Sequence, residues 1–114
     1  IGRDSIKGMI HCSGGGQTKI LHFAENVHVI KDNLMSFPPL FQLIKEQSQT
    51  EWREMFQVFN MGHRLEIYTD QSSAEQMIQI AAQFNIRAQI IGYTESSENK
   101  KLSIKGDWGT EIYE

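Results

Sequence analysis

The chain has 114 residues, with 11 Lys and Arg against 14 Asp and Glu, giving a formal net charge of −3. That length suits one domain around one core, and the acidic balance disfavours a broad nucleic-acid-binding face. A single cysteine, Cys12, excludes an internal disulfide and suits a reducing, cytoplasmic setting, and no apolar run reaches the roughly 18 residues of a membrane span.

Residues 1–5 read as the polar end of an element begun upstream, and Ile1 in place of methionine predicts a piece of a longer chain. Ile6 to Cys12 has strand length, with Met9 and His11 on one side and Ile10 and Cys12 on the other. Ser13-Gly14-Gly15-Gly16 breaks it into a loop. Gln17 to Phe23 fits no single period. Asn26 to Asp32 alternates as a strand, with Val27 and Val29 sharing a face. Pro38 or Pro39 opens a helix, because the first turn needs no N–H from it. Leu40, Phe41, Leu43 and Ile44 follow at helical spacing. Thr50 is placed to cap a second helix, whose apolar stripe is Trp52, Met55, Phe56 and Phe59.

His63 to Thr69 alternates again, Leu65 and Ile67 on one face. Ser72 and Glu75 match a capping box. Ala74, Met77, Ile78, Ala81 and Phe84 then form a helical stripe that Asn85 can stop. Ile86 to Ile91 reads as a strand, so residues 63–91 are predicted to form a strand–helix–strand unit, with a right-handed crossover if its strands are parallel. Glu95 to Lys101 is a solvated loop. Leu102 to Lys105 and Thr110 to Tyr113 pair as a hairpin around Gly106-Asp107-Trp108-Gly109. The expected fold is α+β, helices packed on a mixed, largely antiparallel sheet. The chain reads as one domain over 1–114, in which 96–114 is a polar loop and terminal hairpin.

The most informative local feature is His11-Cys12-Ser13-Gly14-Gly15-Gly16. Consecutive glycines permit unusual backbone angles, and their N–H groups can converge on an anion. Ser13 can add a hydroxyl donor, and His11 can donate a hydrogen bond or move a proton at the rim. A plain turn between strands fits the same residues. The run lacks the Lys-Ser/Thr ending of a P-loop and the spacing of a dinucleotide fingerprint. Asn60-Met61-Gly62 is the second candidate: Gly62 allows a close backbone approach and Asn60 offers a donor and an acceptor, although the triplet also suits a helix stop. No metal site is read, because His11, His22, His28, His63 and Cys12 lack short ligand spacings.

Four ordered blocks carry a more specific signal: GMIHCSGGG, PPLFQLI, FQVFNMG and IIGYTE. From Gly8 to about Glu95 the chain resembles the C-terminal domain of aminoimidazole ribonucleotide synthetases, also called phosphoribosylformylglycinamidine cyclo-ligases, whose commoner form reads roughly GMAHITGGG, PPIF, YRTFNMG and IG. The resemblance implies an α+β fold with partial ferredoxin-like topology. It also implies an ATP-dependent ring closure of formylglycinamidine ribonucleotide in purine biosynthesis. ATP and Mg²⁺ would be held mainly by an N-terminal domain, the enzyme would be a homodimer, and this part alone would be inactive. No nucleic acid or membrane partner is implied.

Carried over by position, His11 matches the histidine before the family's glycine loop and is the tentative catalytic residue. Ser13, Gly14, Gly15 and Gly16 match the loop, and Asn60 and Gly62 match the Asn-Met-Gly block, as substrate- or phosphate-binding residues. Gln17 to Phe23 departs from the family's Leu-x-Glu-Asn-x-Pro-Arg, so those contacts do not transfer, and Lys19 is a candidate replacement for the charge. His63 and Arg64 stand where small residues are usual. The alternatives are a domain of another ATP-dependent enzyme of the same superfamily, and a stand-alone small-molecule-binding α+β module.

Overall fold

The computed structural model describes residues 6–12, 16–22, 25–59, 61–63 and 65–114, without the side chains of Ile6 and His22. The readings placed on residues 1–5 lie outside these. Six strands, three α-helices and a 3-10 helix are described, an α+β arrangement. Strand β1 (Ile6–His11) is followed by the 3-10 helix (Gly16–His22), strand β2 (Val27–Lys31), helix α1 (Pro39–Ser48) and helix α2 (Trp52–Val58). Then come β3 (Leu65–Thr69), α3 (Gln71–Gln83), β4 (Gly92–Ser96), β5 (Lys101–Gly106) and β6 (Gly109–Tyr113).

The strands form two sheets. One is the antiparallel pair β1–β3 and the other has the order β4-β2-β5-β6. Within the second, β2 runs parallel to β5, while the β2–β4 and β5–β6 pairs are antiparallel. Val29, Ile30 and Lys31 of β2 are buried in succession rather than in alternation, so both faces of this inner strand are covered there.

Proline sets the start of α1: Pro38 is its N-cap and Pro39 its first residue. Gln49 ends it in the left-handed region, φ 57°, its N–H donating to the Lys45 carbonyl. Thr50 does not cap α2, where Glu51 holds that position. Its N–H instead donates to Lys45 O and its hydroxyl pairs with Ser48, so it serves the end of α1. Nor does Ser72 open α3. Asp70 is the N-cap, accepting from the Ser73 N–H at 2.8 Å and the Ser72 hydroxyl at 2.9 Å. A carboxylate there gains a charge-assisted bond and a favourable helix dipole, and those bonds hold it below the usual carboxylate range.

The expected strand–helix–strand unit does not close. Residues 86–91 are not a strand, and β3 and β4 fall in different sheets. The Ile90 and Ile91 carbonyls are taken instead by the Asn33 side chain and by the N–H groups of Asp32 and Asn33, in the turn after β2. Regular pairing starts only at Gly92, opposite Lys31, where a Cβ would collide with the Ile30 carbonyl. The tail forms the β5–β6 hairpin with its turn at residues 106–109.

The core gathers Ile10, Cys12, Ile20, Leu21, Val29, Met55, Phe56, Met61, Leu102, Ile104 and Tyr113. At one end is an aromatic cluster. Trp108, from the hairpin turn, has its ring centroid 5.2 Å from both Trp52 and Phe56, and Phe37 stands 5.6 Å from Trp52. The α3 stripe is far less covered, and Phe84 at its end is 69% exposed. Replacing a fully buried phenylalanine leaves a cavity as well as losing transfer free energy. Phe56→Ala is therefore expected to destabilise the chain by about 3–5 kcal/mol, and Phe84→Ala by about 0.5 kcal/mol or less. Urea unfolding of the two variants checks this contrast.

Candidate functional site

Strand β1 divides by face as its alternation dictates: Ile10 and Cys12 are buried, Met9 and His11 exposed. His11 thus presents its imidazole to solvent at the end of the strand, opposite Leu65 in the ladder. Ser13, Gly14, Gly15 and Asn60 lie outside the described residues. Gly16, the last glycine of the run, opens the 3-10 helix with φ +54°. A Cβ there would stand 2.5 Å from the Phe59 carbonyl oxygen and 2.7 Å from that of Phe56. Only glycine fits, and its seat is the end of α2, one residue before Asn60. Gly16 therefore lies against the stretch of chain that leads into the second motif.

Gly62 adds the Pro-Pro block to the same region. Its φ is +93°, and a Cβ would stand 2.8 Å from the Pro38 ring. Met61, also at positive φ, is wholly buried between them in sequence. Lys19, one turn into the 3-10 helix, donates from Nζ to the His11 carbonyl at 2.8 Å and bridges the two sides of the glycine run.

Behind this surface lies a buried polar cluster that the sequence reading missed. Lys31 is 1% and Glu66 5% exposed, and they form an ion pair. Lys31 Nζ also donates to the Gln17 carbonyl at 2.9 Å and to Gln17 Oε1 at 2.7 Å. Glu66 Oε2 accepts from the Tyr68 hydroxyl at 2.7 Å. The alternation in β3 was legible but its sign was not: Leu65 is 52% exposed, while Glu66 faces inward. Glutamate between two apolar residues reads as a solvent position unless its partner is known.

The cluster sets the chemistry of its neighbours. Burial, then the Glu66 charge, pushes the Cys12 thiol up to about 12, so it stays protonated and is no nucleophile near neutrality. The same two causes raise the Tyr68 hydroxyl. His63 Nε2 accepts from the Met35 N–H at 3.1 Å, and burial, then Lys31, lowers its pKa. Among the described residues no group of three or more His, Cys, Asp and Glu is arranged to hold a metal ion.

No protein-family model matches the chain. A phosphoribosylformylglycinamidine cyclo-ligase of Methanococcus vannielii is 32% identical over 111 residues, 97% of this chain and 31% of that protein. Cyclo-ligases of the same name from Alkaliphilus metalliredigens and Methanocaldococcus jannaschii are 35% and 36% identical, over 79% and 76% of this chain and 27% and 25% of theirs. The chain thus spans less than a third of the length of these curated relatives. The first match takes in nearly all of it, so the similarity extends past Glu95 into the terminal hairpin.

An α+β domain with a glycine run after its first strand, matched in this way, falls within a family of enzymes named as ligases. More narrowly, the chain belongs to the phosphoribosylformylglycinamidine cyclo-ligase family and corresponds to a domain-sized share of its members.

A buried histidine with a lowered pKa gives a signed pH dependence. The unfolded ring takes up a proton near 6.5 and the folded ring only at lower pH. Its contribution to stability is present in full above about pH 6.5 and is lost as the pH falls through that window, by at most about 1.4 kcal/mol per pH unit for one proton. His63→Gln is expected to flatten this slope, as read from urea midpoints between pH 5 and 8.

Proposed function

We propose that this chain is the C-terminal domain of a cyclo-ligase that closes the imidazole ring of formylglycinamidine ribonucleotide at the expense of ATP, a step of purine biosynthesis. The observation that supports this best is the 111-residue match, together with the close seats of Gly16 at the end of α2 and of Gly62 on Pro38. In this reading Ser13 to Gly16, with Asn60 and Gly62, bind phosphate or substrate through backbone and amide groups. The exposed His11 donates to an oxygen as charge develops there, or moves a proton. ATP and Mg²⁺, which supply phosphoryl activation of the amide oxygen, are assigned to the part of the relatives' length outside the match, an N-terminal domain that completes the site. The complete enzyme is read as a cytoplasmic homodimer.

The test is a chimera in which this chain replaces the matching part of the Methanococcus vannielii enzyme. With formylglycinamidine ribonucleotide, ATP and Mg²⁺ it should release ADP, while the 114-residue chain alone should release none. An inactive but folded chimera would overturn the reading. In the active chimera, His11→Asn should lower turnover by about 10²-fold, the lower end for a general acid–base group. Its melting temperature should barely move, because His11 is exposed. Unchanged turnover would remove His11 from the site.

A further inference from the structure

We propose that the buried Lys31–Glu66 pair is a positioning device for the exit of the glycine run. It holds Gln17 in place, and with it Gly16, the last residue of the run. Its functional consequence rests on the anion-binding reading above.

An ammonium has three N–H donors. Lys31 directs one to Glu66 and two to a single residue, the Gln17 carbonyl and side-chain oxygens. Backbone and side chain of the first residue after the glycine run are thereby fixed together. Glu66 stands opposite Ile10 in the β1–β3 ladder, so it belongs to the strand pair that leads into the run. Its second oxygen is held by Tyr68. One cation carried on β2 thus ties the entry of the run to its exit. Gly16 itself is bounded by the Phe56 and Phe59 carbonyls. Lys19 adds a bond across the run, to the His11 carbonyl.

Energetics point the same way. A buried ion pair is a weak stabiliser compared with apolar residues of similar volume, yet removing one partner is severe. What this pair supplies that an apolar pair does not is direction: three bonds of fixed geometry to named atoms. Lys31 and Glu66 are buried and face no solvent, so the role is positional rather than catalytic.

The experiment uses the 114-residue chain and the double variant Lys31→Met/Glu66→Gln, which removes both charges and keeps an acceptor for Tyr68. Amide hydrogen exchange reads position and an inorganic phosphate titration reads function. Exchange over 16–22 should quicken by about tenfold or more, with β5–β6 unchanged. Phosphate affinity should fall by about tenfold, the lower end for an outer support of a site. Unchanged protection over 16–22, or a uniform loss across the chain, would overturn the positioning role. Faster exchange with unchanged phosphate affinity would overturn its functional part. If the parent binds no phosphate, the anion reading falls, while the exchange result still decides positioning. Should the double variant not fold, Gln17→Leu keeps the ion pair, removes one bond of the clamp and is judged by the same two readouts.

Discussion

An ammonium group taken out of water is tolerated only where its charge and each of its N–H bonds are answered, and Lys31 imposes that demand at the centre of this fold. Its partners come from two other elements, Gln17 from the 3-10 helix and Glu66 from β3. The demand propagates outward. Glu66 needs a second donor and finds Tyr68, and its charge disfavours ionisation of Tyr68 and Cys12 alike. Lys31 in turn disfavours a proton on His63, whose Nε2 is left to accept from Met35. For Cys12, Tyr68 and His63 burial is the first cause, and a charge of the ion pair is the second. Together these groups connect β1, β2, β3 and the 3-10 helix without any shared ladder between the two sheets.

Glycine supplies the complementary constraint, buried at Gly16 and exposed at Gly62. Gly16 and Gly62 both adopt positive φ, and both lie where a Cβ would strike a neighbour: backbone carbonyls at the end of α2 in one case, the Pro38 ring in the other. Backbone approach of this kind brings three separate sequence blocks together with little side-chain bulk between them.

Much of the architecture was legible because local rules acted alone. Pro38-Pro39 set the start of α1, the stripe Trp52, Met55, Phe56 identified α2, and the turn at 106–109 announced the hairpin. Where the rules competed, the reading slipped. Asp70 and Ser72 both suit an N-cap, and the ionised group won. Ile86 to Ile91 has strand composition, but its carbonyls are claimed by the turn after β2, and pairing waits for the close approach that Gly92 allows. Period-two alternation sorted β3 into faces without saying which face is inside. In the candidate site, His11 and Gly16 were visible as types and spacing. Lys31, Gln17 and Glu66 were not, because each lies far in sequence from at least one partner and a charged residue in a strand reads as solvated.

The two kinds of interaction also divide the molecule by task. The aromatic cluster of Phe37, Trp52, Phe56 and Trp108 lies where α1, α2 and the terminal hairpin converge, and its energy is non-directional area burial. Such a core tolerates small rearrangements and resists loss of volume. The Lys31 cluster behaves in the opposite way: it adds little net energy but fixes donor to acceptor. Gly16 sits at the junction, its Cβ side against the carbonyls of Phe56 and Phe59 and its next residue in the grip of Lys31. Phe56 belongs to both sets at once, its ring in the cluster and its carbonyl against Gly16. The path by which cohesive energy reaches the candidate site is therefore short: from the rings to the last turn of α2, and from that turn to the exit of the glycine run.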